Sequence, residues 1–168
     1  MATNIPPHNL SEIIDACCAF LDNNSINEMQ LLDYVKGPDF PTGGIILGQG
    51  GIKDAFKTGR GSVTIRSKVH FEDLPKDRKS IIVTEIPFQV NKSALVEQIA
   101  DVARNKRVEG ISDLRDESDR DGVRIVIELS KSVNSEVVLN QLFRYTRLQT
   151  TFGVNMLALR GGRPALMN

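Results

Sequence analysis

Gly48, Gly50 and Gly51 are the first residues whose spacing suggests chemistry, because glycine-rich turns let backbone amides cradle a phosphate. The full fingerprint is absent. A dinucleotide loop needs a further glycine at position 53, where Lys53 stands, and a Walker loop ahead of Lys92-Ser93 needs glycine at the positions of Ile86 and Asn91. His8 and His70 are far apart in sequence, and neither has a cysteine or second histidine at ligand spacing, which argues against a zinc site. Asp113, Asp116, Glu117, Asp119 and Asp121 gather the oxygens a hard divalent cation takes, but Arg115 and Arg120 interleave them and the spacing is not that of an EF-hand. They read as a solvated hairpin turn. Cys17 and Cys18 are adjacent, which suits neither a disulfide framework nor a metal knuckle, so a reduced, buried pair is expected. No serine or cysteine stands in a recognisable nucleophile context, and no catalytic site is visible.

Charge patterning is more informative. From Lys53 to His70 the cations Lys53, Lys57, Arg60, Arg66 and Lys68 face the single acid Asp54, so five minus one leaves a local balance of +4. Arg66 and Lys68 fall two apart on one predicted strand, which puts them about 7 Å apart on one face, near the spacing of successive phosphates on a DNA strand. Two readings are open: a stripe that contacts a phosphate backbone, and a solvated face balanced by the acidic turn. Lys92 sits at a predicted helix N-terminus, where amides and the helix dipole favour anions, and is equally readable as an ordinary surface lysine. The whole chain holds 21 basic and 21 acidic residues, so nothing draws it generally to a polyanion or a membrane surface. Any polyanion must be met locally.

Positioning these residues requires a packed scaffold, and 168 residues of which 40% are hydrophobic suffice for one compact unit or at most two small lobes. Residues 9–21 predict a helix capped by Asn9, with Leu10, Ile13, Ile14, Cys17 and Leu21 on a core face. A rigid Gly/Pro loop over 37–44 leads to a short buried strand at 45–47, then a helix over 51–58 closed by Gly59. Alternation from Val63 to Phe71 predicts one half-buried strand with Ser67 as its weak inward position. A turn over 73–79 returns as a strand from Ser80 to Ile86, apolar enough to be covered on both faces. Asn91 caps a helix to about residue 105 with Leu95, Ile99 and Val102 inward, and a hairpin follows over 111–129. A third main helix over 134–145 and a long strand over 148–159, before Gly161-Gly162, complete an α+β fold with three main helices and a mainly antiparallel sheet. No apolar run approaches the roughly 20 residues of a membrane span, and no signal peptide is evident, so a cytoplasmic protein is expected. The sequons at Asn23 and Asn91 then carry no meaning.

Several long strings resemble one family. They are residues 1–10 (MATNIPPHNL), 37–44 (GPDFPTGG), 85–92 (EIPFQVNK), 109–119 (EGISDLRDESD) and 152–156 (FGVNM), in order over nearly the whole chain. All are similar to the A-subunit family of DNA gyrase, the bacterial type IIA topoisomerases. The topoisomerase IV A-subunit shares parts of them and is the alternative, although residues 109–119 are nearer the gyrase form. Phe88 stands where the family commonly has tyrosine.

The resemblance implies that residues 1–10 end the winged-helix DNA-gate region and that 11–168 form the tower domain, stopping before the coiled-coil arm. It implies negative supercoiling by ATP-dependent double-strand passage. The attacking tyrosine, its arginine neighbour and the wedge isoleucine all precede the matching segment, so no catalytic residue is expected here, and Tyr34 and Tyr145 do not match. No cofactor is expected in this piece; ATP and Mg2+ would act chiefly through the gyrase B-subunit. Implied partners are double-stranded DNA, the B-subunit of an A2B2 complex, and a second copy of the A-subunit through regions outside this chain, with no membrane and with association to the bacterial chromosome. The tower would support the flanks of a bent duplex, with Arg66 and Lys68 as first phosphate contacts, then Lys57, Arg60 and Lys92, and more weakly Thr3 and Asn4. The alternatives in other classes are a structural strut without DNA affinity and a small-ligand regulatory domain. A monomer is expected in solution.

Overall fold

A computed structural model describes residues 4–168. These residues form two compact units. The described part of the first runs to Pro41 and takes in Ile46–Thr64 and Thr151–Asn168; the second comprises Thr42–Ile45 and Ile65–Thr150.

The chain runs α1 (Leu10–Asp22), α2 (Glu28–Leu31), β1 (Ile45–Leu47), α3 (Gly50–Thr58), β2 (Arg60–Arg66), β3 (Lys68–Leu74), β4 (Arg78–Glu85), α4 (Lys92–Arg104), β5 (Ile111–Asp116), β6 (Ile125–Leu129), α5 (Ser135–Tyr145), β7 (Gln149–Asn155), β8 (Leu157–Arg160) and β9 (Arg163–Leu166). Strand orders are β1-β2-β7, β3-β4-β6-β5 and β8-β9. The β3-β4, β4-β6, β5-β6 and β8-β9 pairs are all antiparallel, as expected of this α+β fold. Asparagine starts each main helix by accepting from amides that would otherwise lack a partner: Asn9 from Ser11 and Glu12, Asn91 from Ala94, Asn134 from Glu136 and Val137.

The second unit has the larger core. Strand alternation sends Ile81 and Val83 of β4 and Ile125, Ile127 and Leu129 of β6 to one face, where they pack with Leu95, Ile99 and Val102 of α4 and Val138, Leu142 and Phe143 of α5. Ile82 and Val126 point the other way yet are only 1% and 4% exposed, so β4 is covered on both sides as its apolar run predicts. The register places His70 opposite Ile82 and Arg115 opposite Val126 on that second face. Long polar side chains, whose aliphatic stems can shelter apolar neighbours, therefore surround the two aliphatic residues.

Four expectations are corrected. The predicted core face of α1 is largely open: Leu10, Ile14 and Leu21 are 72%, 51% and 75% exposed, Ala16 is the helix's one buried residue, and both Cys17 and Cys18 are exposed. Apolar periodicity identified the helix, but within this chain its stripe borders a groove of about 650 Å³ and is not sealed under a second layer. Strand β1 is likewise not buried, since Ile45 and Leu47 lie open. The strand predicted over 63–71 is two strands that join different sheets: the buried Ser67 donates its amide to the Leu148 carbonyl at 2.7 Å, just before β7, and from Lys68 the chain pairs with β4 instead. The strand predicted over 148–159 also divides, at Met156, whose amide donates to the Gly59 carbonyl at 2.9 Å and whose carbonyl accepts from Met167 at 3.0 Å. Beyond that break β8 and β9 form a hairpin about Gly161-Gly162.

Two measurements check this description. Thiol titration of the native protein should find both cysteines reactive without denaturant, whereas a buried pair would react only after unfolding. Leu142→Ala should cost about 2–5 kcal/mol in denaturant unfolding, because it opens a cavity at a fully buried site; a loss below about 1 kcal/mol would contradict the assigned core.

Candidate nucleic-acid interface

One face of the second unit pairs its charges internally. On the face around Ile82 and Val126, Glu128 accepts from Arg78 at 3.3 Å and from Arg115 at 2.7 Å, Arg115 also reaches Asp113 and Glu117, and Arg124 holds Glu72 and Glu117. His70 meets Glu72 at 3.1 Å. Hydrogen bonds from Arg124 and then His70 draw the Glu72 pKa below its usual value, while bonds to Glu128, Asp113 and Glu117 raise that of Arg115. The acidic stretch is a turn, as expected: Asp119 accepts from the amides of Asp121 and Gly122. Among the described residues no group of three or more histidine, cysteine or acidic side chains is arranged to hold a metal ion.

The expected phosphate contacts divide accordingly. Arg66 ends β2 half-buried, donating through Nε and Nη2 to Gln149 Oε1 at 2.9 and 2.7 Å, with its guanidinium 4.3 Å from the Phe143 ring centroid. That stacking fixes it sideways. Lys68 begins β3 and pairs with Glu85 at 3.2 Å; Glu85 also accepts from the Gly44 amide at 2.6 Å, and this backbone bond is the main cause of its lowered pKa. The break at Ser67 means that Arg66 and Lys68 do not form the continuous stripe expected of a single strand. Lys92 opens α4 and reaches Asp116 at 2.8 Å. Its ammonium, followed by the Ser118 hydroxyl, holds the Asp116 carboxyl at about 2.

The first unit is different. Every ion pair found among the described residues lies within 68–128, all in the second unit. Lys53 and Lys57, one turn apart on α3, and Arg60, the first residue of β2, are exposed and have no such pair. Gly59 lies between them in the left-handed region at φ 74°, ending the helix and starting the strand within one residue. Asn4 is exposed and its carbonyl accepts from the Asn155 amide at 2.9 Å; Thr3 lies outside the described residues. Arg160 and Arg163, which flank the β8-β9 turn, also stand exposed without an ion pair. Sequence reasoning missed these two, although two arginines around Gly-Gly were a visible signal of a hairpin tip carrying charge.

Exposed cations without an ion pair stand on both units, Lys76, Arg107, Lys131 and Arg147 of the second among them, so the fold and charge define an α+β protein with local basic patches. Sequence comparison is more specific. Residues 1–168 match the family model for the A-subunit of DNA gyrase and topoisomerase IV. The chain is 61% identical over 168 residues to the DNA gyrase A-subunit of Rickettsia bellii, 57% over 168 to that of Clostridium acetobutylicum, and 55% over 169 to that of Salmonella typhimurium, each alignment covering all of this chain. The chain belongs to the A-subunit family of DNA gyrase and topoisomerase IV. It spans about one fifth of the length of these relatives, 19%, 20% and 19% respectively.

The Lys92–Asp116 pair makes a pH prediction. A carboxylate held at about 2 instead of 3.8 contributes stability that is fully present above its unfolded value and is lost as pH falls through about 2. In an NMR titration of the carboxyl carbon, Lys92→Met should move the Asp116 midpoint upward toward the ordinary range. An unchanged midpoint would show that the ammonium does not hold the carboxylate.

Proposed function

We propose that this chain is the tower section of the DNA-breaking and rejoining subunit of a gyrase, which negatively supercoils DNA by ATP-dependent passage of one duplex through another. Residues 1–10 are the end of the DNA-gate region and 11–168 the tower. The attacking tyrosine belongs to the part of the subunit outside this chain, and ATP and Mg2+ act through the B-subunit in an A2B2 complex, so this chain alone cleaves nothing. Its part is to hold the flanks of the bent gate duplex. Bending a site of 20–30 base pairs costs about 1–6 kcal/mol, and cations along the flanks offset that cost by binding phosphates without reading sequence.

The observation that carries the reading is the contrast among the candidate cations themselves. Lys57 and Arg60 remain free to meet phosphate, and Lys53 joins them, whereas Arg66, Lys68 and Lys92 must leave a protein partner first. Among the residues first expected to touch DNA, Lys57 and Arg60 therefore move ahead of Arg66 and Lys68. Asn4 is a minor candidate.

Fluorescence anisotropy with a duplex of about 30 base pairs across a salt series tests this. The parent should bind weakly, with log K falling by roughly 2–4 units per decade of salt, and Lys57→Glu/Arg60→Glu should lower that slope more than Arg66→Gln/Lys68→Gln does. Absence of binding at low salt would leave a strut with no DNA affinity of its own.

A further inference from the structure

The β8-β9 hairpin breaks a rule of strand pairing. Its register sets Arg160 directly opposite Arg163 across the Gly161-Gly162 turn, and like charges so placed repel. Gly161 and Gly162 have φ of 59° and 78°, the paired left-handed geometry of a tight two-residue turn, which holds the facing backbones close. No acidic side chain relieves the pair: neither arginine has an ion pair among the described residues, and 156–168 contains no acid. Beneath them the next cross-strand pair is Leu159 with Pro164, both exposed, so the tip is not packed against a core.

The base of the hairpin is anchored beside the free cations already described. Met156 donates to the Gly59 carbonyl, Met167 donates to Met156, and the Asn168 side-chain amide reaches the Lys57 carbonyl at 3.5 Å. Lys57 and Arg60 therefore flank the point from which the hairpin rises. Four residues per strand carry its tip about 13 Å from that base, which corresponds to about four base-pair steps of duplex.

We infer that Arg160 and Arg163 form a second phosphate-binding site, a charged tip that extends the contact of Lys57 and Arg60 along the flank of a duplex. The inference rests on the DNA-binding reading above. A polyanion supplies the charge that the repelling pair lacks, and arginine can engage one phosphate through two donors. The site reads backbone only, because nothing at the tip is shaped to a base edge.

Arg163→Glu separates this role from a structural one. It places opposite charges across the turn, so the melting temperature should hold or rise, yet affinity for a duplex of about 30 base pairs at about 50 mM salt should fall roughly five-fold or more and the salt slope by about 1–2. Arg160→Lys/Arg163→Lys keeps both charges and should retain the parent slope, and it serves if the first variant misfolds. Parent-like binding by Arg163→Glu, with Lys57→Glu/Arg60→Glu still reducing the slope, would overturn the hairpin site and leave the DNA reading intact. A parent that fails to bind at low salt would overturn both.

Discussion

Two aliphatic side chains on the face of the four-stranded sheet opposite α4 and α5 govern how this chain distributes its charge. Ile82 and Val126 are almost completely buried, yet the residues beside them in the register are arginine, histidine and glutamate. Sheltering them requires long side chains lying across the sheet, and a layer of guanidinium groups so arranged would repel itself unless carboxylates were interleaved. Glu72, Asp113, Glu117 and Glu128 fill that need. Each pair is at least partly open to water and adds little stability alone. Their collective effect is that this face offers a polyanion no unshared cation from the network.

A net charge of zero therefore conceals a division. In the second unit one face pairs its charges while Lys76, Arg107, Lys131 and Arg147 elsewhere have no ion pair, and in the first the acids crowd into 12–39, with Lys36 among them, while its other cations lie at 53–60 and 160–163 with Asp54 the one acid there. The separation exceeds what whole-chain arithmetic can express, because at physiological ionic strength charges more than about 8 Å apart act nearly independently. A duplex approaching the cationic segments meets a local field, not the average of the molecule.

Elements with their own periodicity and caps were legible: the three asparagine-capped helices, the doubly covered strand β4 and the 111–129 hairpin all lie where pattern places them. The errors share one cause. Periodicity reports which side chains could face a core but not whether anything covers them, which is why α1 and its cysteines are open despite a regular apolar stripe. Alternation also continues past the points where pairing ends, as at Ser67 and Met156, which make the last bonds beside the β2-β7 pair before the chain passes to a different sheet. The same blindness affected the site. Arg66 and Lys68 were conspicuous by type and spacing, whereas their capture by Gln149, Phe143 and Glu85 depends on residues up to 83 positions away.

The arrangement of the free cations comes down to Gly59. Its positive φ ends α3, its carbonyl receives the Met156 amide, and its missing side chain admits the Met167 carbonyl, with which a Cβ would collide. No other residue satisfies all three conditions without strain. Lys57 and Arg60 lie two residues before and one after it, and the β8-β9 hairpin is tied to the same point. Four cations from four elements, α3, β2, β8 and β9, are thus tied to one point of the main chain. Binding a phosphate backbone there costs little ordering of the main chain, and the entropy lost is mainly that of four flexible side chains.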